Sequence, residues 1–235
     1  MRRVIVSAFV SLDGIMQAPG GPEEDPTGGF ALGGWMFNYA DDSMDISAAG
    51  FDGKDRELLL GRRTYQIFEA YWPYQPHDHP IAKTLNAAKK HVASRTLTRL
   101  QWHNSSLLEG DVVAAVIALK GQPGPDLQVI GSGNLIQTLQ AATLDPSLGM
   151  PLLGMPLIDE YHLWTFPVVL GRGKRLFGET ARPSALRLVR SRVSDSGVLM
   201  STYVPDGDIQ PGTFPGSAPS ELELARRQRM ANDKW

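Results

Sequence analysis

Apolar residues fall in short runs along this chain, and the spacing inside each run predicts its element. Val4 to Val10 is apolar on both parities and rich in β-branched residues, the pattern of a central strand buried on both faces. Leu58-Leu59-Leu60, Lys90 to Ala93 and Leu127 to Ile130 are shorter strands, and Tyr161 to Phe166 is another, closed by Pro167. Between them the period lengthens. Arg62 to Phe68 reads as a helix and Lys83 to Ala88 as a short one. Val112 to Lys120 puts Val112, Val116 and Leu119 on one face, with Asp111 as N-cap. Leu135, Ile136 and Leu139 open a further helix directly after a strand. Trp35 to Ala49 predicts a short helix carrying Asp41, Asp42 and Asp45. Leu186 to Val193 and Val198 to Val204 form a hairpin about Ser194-Asp195-Ser196-Gly197.

Strands thus alternate with helices through residue 140, and a hairpin ends the series. That order predicts an α/β fold, a mostly parallel sheet with helices on both faces and an antiparallel edge. Two segments stand outside it. Gln17 to Gly34 is rich in glycine and proline, either a mobile loop over a site or a surface loop without order. After Val204, prolines at 205, 211, 215 and 219 make an extended linker. Ser220 and Glu223 then form a capping box, starting a helix that is either solvated or docked on a neighbour. The chain divides into one domain, 1–204, and an appendage, 205–235.

Composition narrows the function. The 235 residues are 42% hydrophobic, enough for a sizeable core. Lys and Arg number 23 against 25 Asp and Glu, a balance that makes no case for nucleic acid or an anionic membrane as partner. The absence of cysteine excludes disulfides, thiolate metal sites and a cysteine nucleophile. No apolar run approaches the roughly 20 residues a bilayer span needs, and Met1-Arg2-Arg3 leads straight into a strand rather than a signal peptide. A cytoplasmic protein is expected. His77 and His79 have a ligating spacing but no third His or Cys partner, so no metal is expected. Nor is there a Gly-x-Ser-x-Gly elbow for a serine hydrolase.

The chemistry concentrates where strands end. Leu127 to Ile130 stops in Gly131-Ser132-Gly133, and a helix begins. A helix start offers unpaired N–H groups and the positive end of the macrodipole, and glycine lets a ligand approach the backbone. This is either a phosphate site or a plain glycine turn. Ile136 stands where the common dinucleotide fingerprint has its third glycine. Gly61-Arg62-Arg63-Thr64 and Ser94-Arg95-Thr96 also follow short strands, and in an open parallel sheet such ends line one crevice. Arginine's planar fork suits phosphate. Arg62, Arg63 or Arg95 therefore suits a ribose 2′-phosphate, with Gly131 to Leu135 on the diphosphate. The implied cofactor is NADP rather than NAD.

Five stretches together carry a family resemblance: Val10-Ser11-Leu12-Asp13-Gly14, Leu60 to Tyr65, Val92 to Leu97, Val129 to Gly133 and Phe166 to Phe177. In this order they resemble the dihydrofolate-reductase-like proteins of the riboflavin-reductase (RibD C-terminal) type, over Met1 to Val204. The resemblance implies a three-layer αβα, dihydrofolate-reductase-like fold and NADPH as hydride donor. It carries Arg62, Arg63, Thr64, Ser94 and Arg95 to the adenosine side, and Gly131, Ser132, Gly133, Asn134 and Leu135 to the diphosphate. It places Ala8 and Ile15 near the nicotinamide and implies a homodimer. Leu144 to Pro156 looks like an insertion relative to that family, and the tail after Val204 is also extra.

Hydride transfer leaves a site that takes a proton. Folate-reducing relatives place an acid on the first helix, and Asp42, sharing a face with Tyr39 and Asp45, is the first choice here. Asp13, at the end of the first strand, is the alternative. Trp35, Phe37 and Tyr39 are either an aromatic wall for a flat heterocycle or core. Lys174 and Arg175 contact an anionic group such as a ribitol phosphate, or else lie in a solvated turn. The expected activity is NADPH-dependent reduction of a small planar heterocycle, pterin- or pyrimidine-like. The alternative is a non-catalytic NADP-binding or sensor protein of the same fold.

Overall fold

A computed structural model describes residues 1–44, 55–142, 156–179, 181–213, 216 and 218–232. Its strands are β1 (Val4–Ser11), β2 (Glu57–Gly61), β3 (Lys90–Ala93), β4 (Ser105–Leu107), β5 (Leu127–Ile130), β6 (Glu160–Phe166), β7 (Leu186–Val193) and β8 (Leu199–Pro205). They form one sheet in the order β4-β3-β2-β5-β1-β6-β8-β7. The pairs from β4 to β6 are all parallel, and β8 is antiparallel to both β6 and β7. The helices are α1 (Arg62–Glu69), α2 (Pro80–Ala87), α3 (Val112–Gly121), α4 (Gly133–Ala141) and α5 (Glu221–Ala231).

Alternation along β1 explains the layers. Val4, Val6, Ala8 and Val10 face α3 and α4, and they share a core with Val116, Ile136 and Leu139. The other face of β2 and β3, through Leu58, Leu60 and Val92, packs against Tyr65 of α1, Leu85 of α2 and Trp102. A third cluster joins Ile15, Phe30 and Trp35 to Trp164 and Phe166 of β6. The result is the expected three-layer αβα arrangement with an antiparallel hairpin at one edge.

Some expectations change. β4 carries no sequence pattern, because three residues, two of them serine, give no period to read. Helix α2 begins at Pro80, three residues before Lys83, since proline suits a first helical turn. The helix expected over Trp35 to Ala49 is not present in its described part, 35–44, which holds a single 3-10 turn, Phe37–Tyr39. Trp35, Met36, Tyr39 and Met44 join a core cluster, with Trp35 7% exposed and edge-on to Phe166 at 5.2 Å, while Phe37 is exposed. Asp45 and the rest of that stretch lie outside the described residues. So does nearly all of the 144–156 insertion.

Gln17 to Gly34 is held against the domain. Ala18 and Phe30 are buried, and the Trp35 indole donates to the Gln17 carbonyl at 2.8 Å. The tail helix α5 has no buried residue. Among the described residues no helix is long and apolar enough to cross a membrane.

Candidate active site

Two neighbouring parallel strands, β2 and β5, end at one edge and turn into α1 and α4. Ser132 ties the two turns together. Its Oγ accepts the Gly61 N–H at 2.9 Å, and its own N–H donates to Thr64 Oγ1 at 2.8 Å. The same hydroxyl donates back to the Ile130 carbonyl at 3.1 Å. This geometry needs two left-handed residues in succession, Gly131 (φ 57°) and Ser132 (φ 58°). A Cβ on Gly131 would sit 3.1 Å from Thr64 Oγ1, so glycine is required both by conformation and by the crossing chain.

The cost of this lock falls on the helix caps. With its hydroxyl committed elsewhere, Ser132 makes no capping bond to α4, and Gly61 has no side chain to cap α1. The other helix starts are capped, by His79 for α2, Asp111 for α3 and Ser220 for α5. The two uncapped N-termini lie side by side at the crevice, each presenting first-turn N–H groups and positive dipole ends. The Ser132 N–H and the Thr64 hydroxyl satisfy each other. Gly133, Asn134 and Leu135 are left to offer N–H groups to an anion.

The arginines flank this pair. Gly61 pairs with Ala93 in the β2–β3 register, so Arg62 and Ser94 leave the sheet at one level. Arg62 and Arg95 are exposed, and neither forms an ion pair among the described residues. Ser94 is occupied, its Oγ accepting the Thr96 and Leu97 N–H groups at 3.2 and 2.9 Å. Arg63 is engaged by the 17–34 loop, donating to Thr27 Oγ1 at 3.0 Å and standing 3.9 Å from Asp25. Ala8 lies one residue past the Ser7–Ile130 pair, level with Gly131, and is 4% exposed. Ile15 is fully buried, its N–H on Ser11 Oγ and its carbonyl on the Ser11 N–H. It is the floor on which the loop rests.

The facing wall is the segment after β6. The Met16 N–H donates to the Lys174 carbonyl at 2.8 Å, and the Leu176 N–H to the Gly14 carbonyl at 3.1 Å. Gly173 permits that stitch, because a Cβ there would fall 2.7 Å from Ile15 Cγ2. Beside it a cavity of about 420 Å³ opens between this segment, the 17–34 loop and α1.

The two candidate carboxylates differ in their surroundings. Asp13 Oδ1 accepts from Ser11 Oγ at 2.6 Å and from the Leu170 N–H at 3.1 Å, and Oδ2 accepts from the Gly171 N–H at 2.8 Å. The Ser11 hydroxyl is the largest influence; with the two backbone donors it outweighs the opposing desolvation and holds the pKa down at about 2. These three hydrogen bonds make Asp13 an anchor between the end of β1 and the segment after β6. Asp42 is exposed in a turn, and the helix meant to aim it is not formed. Its neighbour Asp41 is the engaged residue, accepting from Ser43, Met44 and the Ser196 N–H of the hairpin turn. Gln17, Asp25 and Thr27 were not legible as site residues, for a glycine-rich loop carries no period.

A family model, the RibD C-terminal domain, matches residues 2–200. The chain belongs to that family. It is 26% identical over 205 residues to the uncharacterised protein YyaP of Bacillus subtilis (strain 168), covering 86% of this chain and 94% of that one. A crystal structure of a protein assigned to riboflavin biosynthesis from Shewanella sp. PV-4 superposes with a TM-score of 0.61 at 22% identity, over 87% of this chain and 99% of that one. A pyrimidine reductase-like protein from Corynebacterium diphtheriae gives 0.51 at 13% identity, over 88% and 93%. These two likenesses establish the shared fold.

Proposed function

We propose that this protein is an NADPH-dependent reductase acting on a small planar heterocycle, pyrimidine- or pterin-like, as in riboflavin or folate metabolism. The observation that carries the reading is the pair of uncapped helix N-termini locked by Ser132, with Arg62 and Arg95 beside them in no ion pair among the described residues. Membership of the RibD C-terminal family and the reductase-like fold neighbours support it. The donor set fits the cofactor. The N–H groups of Gly133 to Leu135 would take its diphosphate, and Arg95 or Arg62 its 2′-phosphate. When bound, the cofactor supplies the hydride. The chain supplies binding and alignment, and the buried Ile15 and Phe30 keep the base of the loop dry. The proton reaches the product from solvent in this reading, since Asp13 is ionised. The protein works in the cytoplasm, as a homodimer.

Titration of protein fluorescence with NADPH and NADH tests the cofactor. NADPH binds more tightly, and Arg95→Ala weakens NADPH about 10- to 100-fold, the scale of a lost charged hydrogen bond, with little effect on NADH. Equal losses for both cofactors would show that Arg95 does not read the 2′-phosphate. The lack of a fitting acid among the described residues favours a second reading, a sensor that holds NADP without turnover. Oxidation of bound NADPH across pterins, flavin precursors and quinones separates the two.

A further inference from the structure

Strand β7 is the outer edge of the sheet, and among the described residues it pairs on one side only, with β8. From Arg187 to Val193 every residue is exposed. Its two faces differ. Arg187, Arg190 and Arg192 stand opposite Val204, Thr202 and Met200, and so share the face of the Trp164 core. Leu188, Ser191 and Val193 stand opposite Tyr203, Ser201 and Leu199 and take the other face. An irregularity between Leu188 and Arg190 absorbs Val189 and keeps this alternation. An open edge with an apolar face is a template for another strand. A second β7 does not suit it, because any pairing that matches the faces sets arginine against arginine. Arg187 lies 3.7 Å from Asp206, while Arg190 and Arg192 form no ion pair among the described residues.

The tail holds the complementary pattern. Glu221-Leu222-Glu223-Leu224 alternates acid and leucine with the period of a strand, although it opens helix α5. A helix sets Leu222 and Leu224 about 200° apart, so no single face can bury both. They are 83% and 51% exposed. Helix α5 has 11 residues and none of them is buried, and the pairs of Glu223 with Arg226 and Arg227 lie at its surface. Such a helix is marginal in water and costs little to unwind. Extended, the two glutamates fall two residues apart on one side, the spacing of Arg190 and Arg192. Both leucines fall on the other, the side of Leu188 and Val193. The linker leads away from the β7 of its own chain. The Asp206 N–H donates to the Ala185 carbonyl at 2.8 Å, the Ala185 N–H donates to the Gly207 carbonyl at 2.9 Å, and Asp208 lies 3.7 Å from Arg182. The chain thus runs on in the direction of β8, past the start of β7.

We propose that residues 220–225 of a second copy unwind and add to the open edge of β7 as a strand, with Glu221 and Glu223 pairing with Arg190 and Arg192. Main-chain bonds to the edge supply the grip, and the alternating side chains supply the selectivity. Pro219, which cannot donate to a ladder, marks where the added strand begins. The inference is independent of the reductase chemistry and rests on the homodimer reading only in the number of copies. The added strand completes no core of the chain that lends it, so association rather than melting is the readout.

Sedimentation equilibrium on the full chain measures the association. Joint Arg190→Glu and Arg192→Glu weakens it at least about 10-fold, and so does joint Glu221→Arg and Glu223→Arg. None of the four residues lies in a core cluster, so both variants fold. Mixed in equal amounts, the two variants associate with each other as tightly as the wild type, because each edge then meets a tail of opposite charge. In the associated wild type, amide hydrogen exchange slows at β7 and at 221–224 together. A chain that stays monomeric at every concentration overturns the proposal, as does association that neither pair of reversals weakens or a mixture no stronger than its parts. Exchange that slows at 221–224 but not at β7 would mean that the tail docks as a helix, and overturns it too. A dimer that survives ending the chain after Gly212 keeps the homodimer reading and removes this join.

Discussion

Asp13 shows how one residue can be legible in place and illegible in role. Its position at the end of β1, in a turn before glycine, is plain in the sequence. Beside the local Ser11 hydroxyl, its partners come from 157 and 158 residues away, the Leu170 and Gly171 N–H groups, and no local pattern announces those two. Those donors make it an anchor. Asp13→Asn puts an amide N–H against a backbone N–H and should lower stability by about 1–2 kcal/mol at neutral pH, read as a thermal midpoint lower by a few degrees. The pH dependence follows from the depressed pKa. With a folded value of about 2 against an ordinary 3.8, the wild-type advantage is full above pH 4 and fades as pH falls toward 2. A gap between wild type and variant that persisted unchanged at pH 2.5 would contradict the anchor. Asp42 was misplaced for a related reason: apolar spacing at Trp35, Met36 and Tyr39 mimics a helix, yet it serves a loop packed on Phe166.

Elements were read best where both faces of a strand or one face of a helix were buried. β1, β5, α1 and α4 lie close to their expected limits, because burial enforces the period that sequence displays. The sites at their ends were legible as types: glycine, arginine and hydroxyl residues after strands. Which hydroxyl bonds which amide was not, since Ser132 and Thr64 meet only through sheet order. The segment after β6 adds a test of close packing. Gly173→Ala forces Ile15 or the segment to move, at a cost of about 1–3 kcal/mol. It should also raise the rate of proteolysis within 17–34 more than elsewhere. Uniform susceptibility along the chain would show that the two segments are not coupled.

The whole molecule is held together by pairings between strands distant in sequence, and the strand order that sets them is not written locally. Alternation of strands and helices predicted a parallel sheet, but only the assembled order puts β5 between β1 and β2 and brings the two helix starts together. The appendage is separable on this view. Among the described residues, the last backbone bonds between it and the domain tie Asp206 and Gly207 to Ala185, and α5 has no buried residue. Ending the chain after Gly212 should move the thermal midpoint by less than about 2 °C. A larger fall would mean that the tail completes the domain.

The Thr64–Ser132–Gly61 lock has a practical corollary for redesign. Serine and threonine set the spacing of the two helix starts, while Arg62 and Arg95 lie exposed at its rim. In the proposed NADPH reading, cofactor selectivity and cofactor grip therefore fall to different residues. That reading predicts that substitutions at Arg62 and Arg95 exchange one nicotinamide dinucleotide for the other with the cradle unaltered. It predicts equally that a change at Thr64 or Ser132 loosens the hold on both alike.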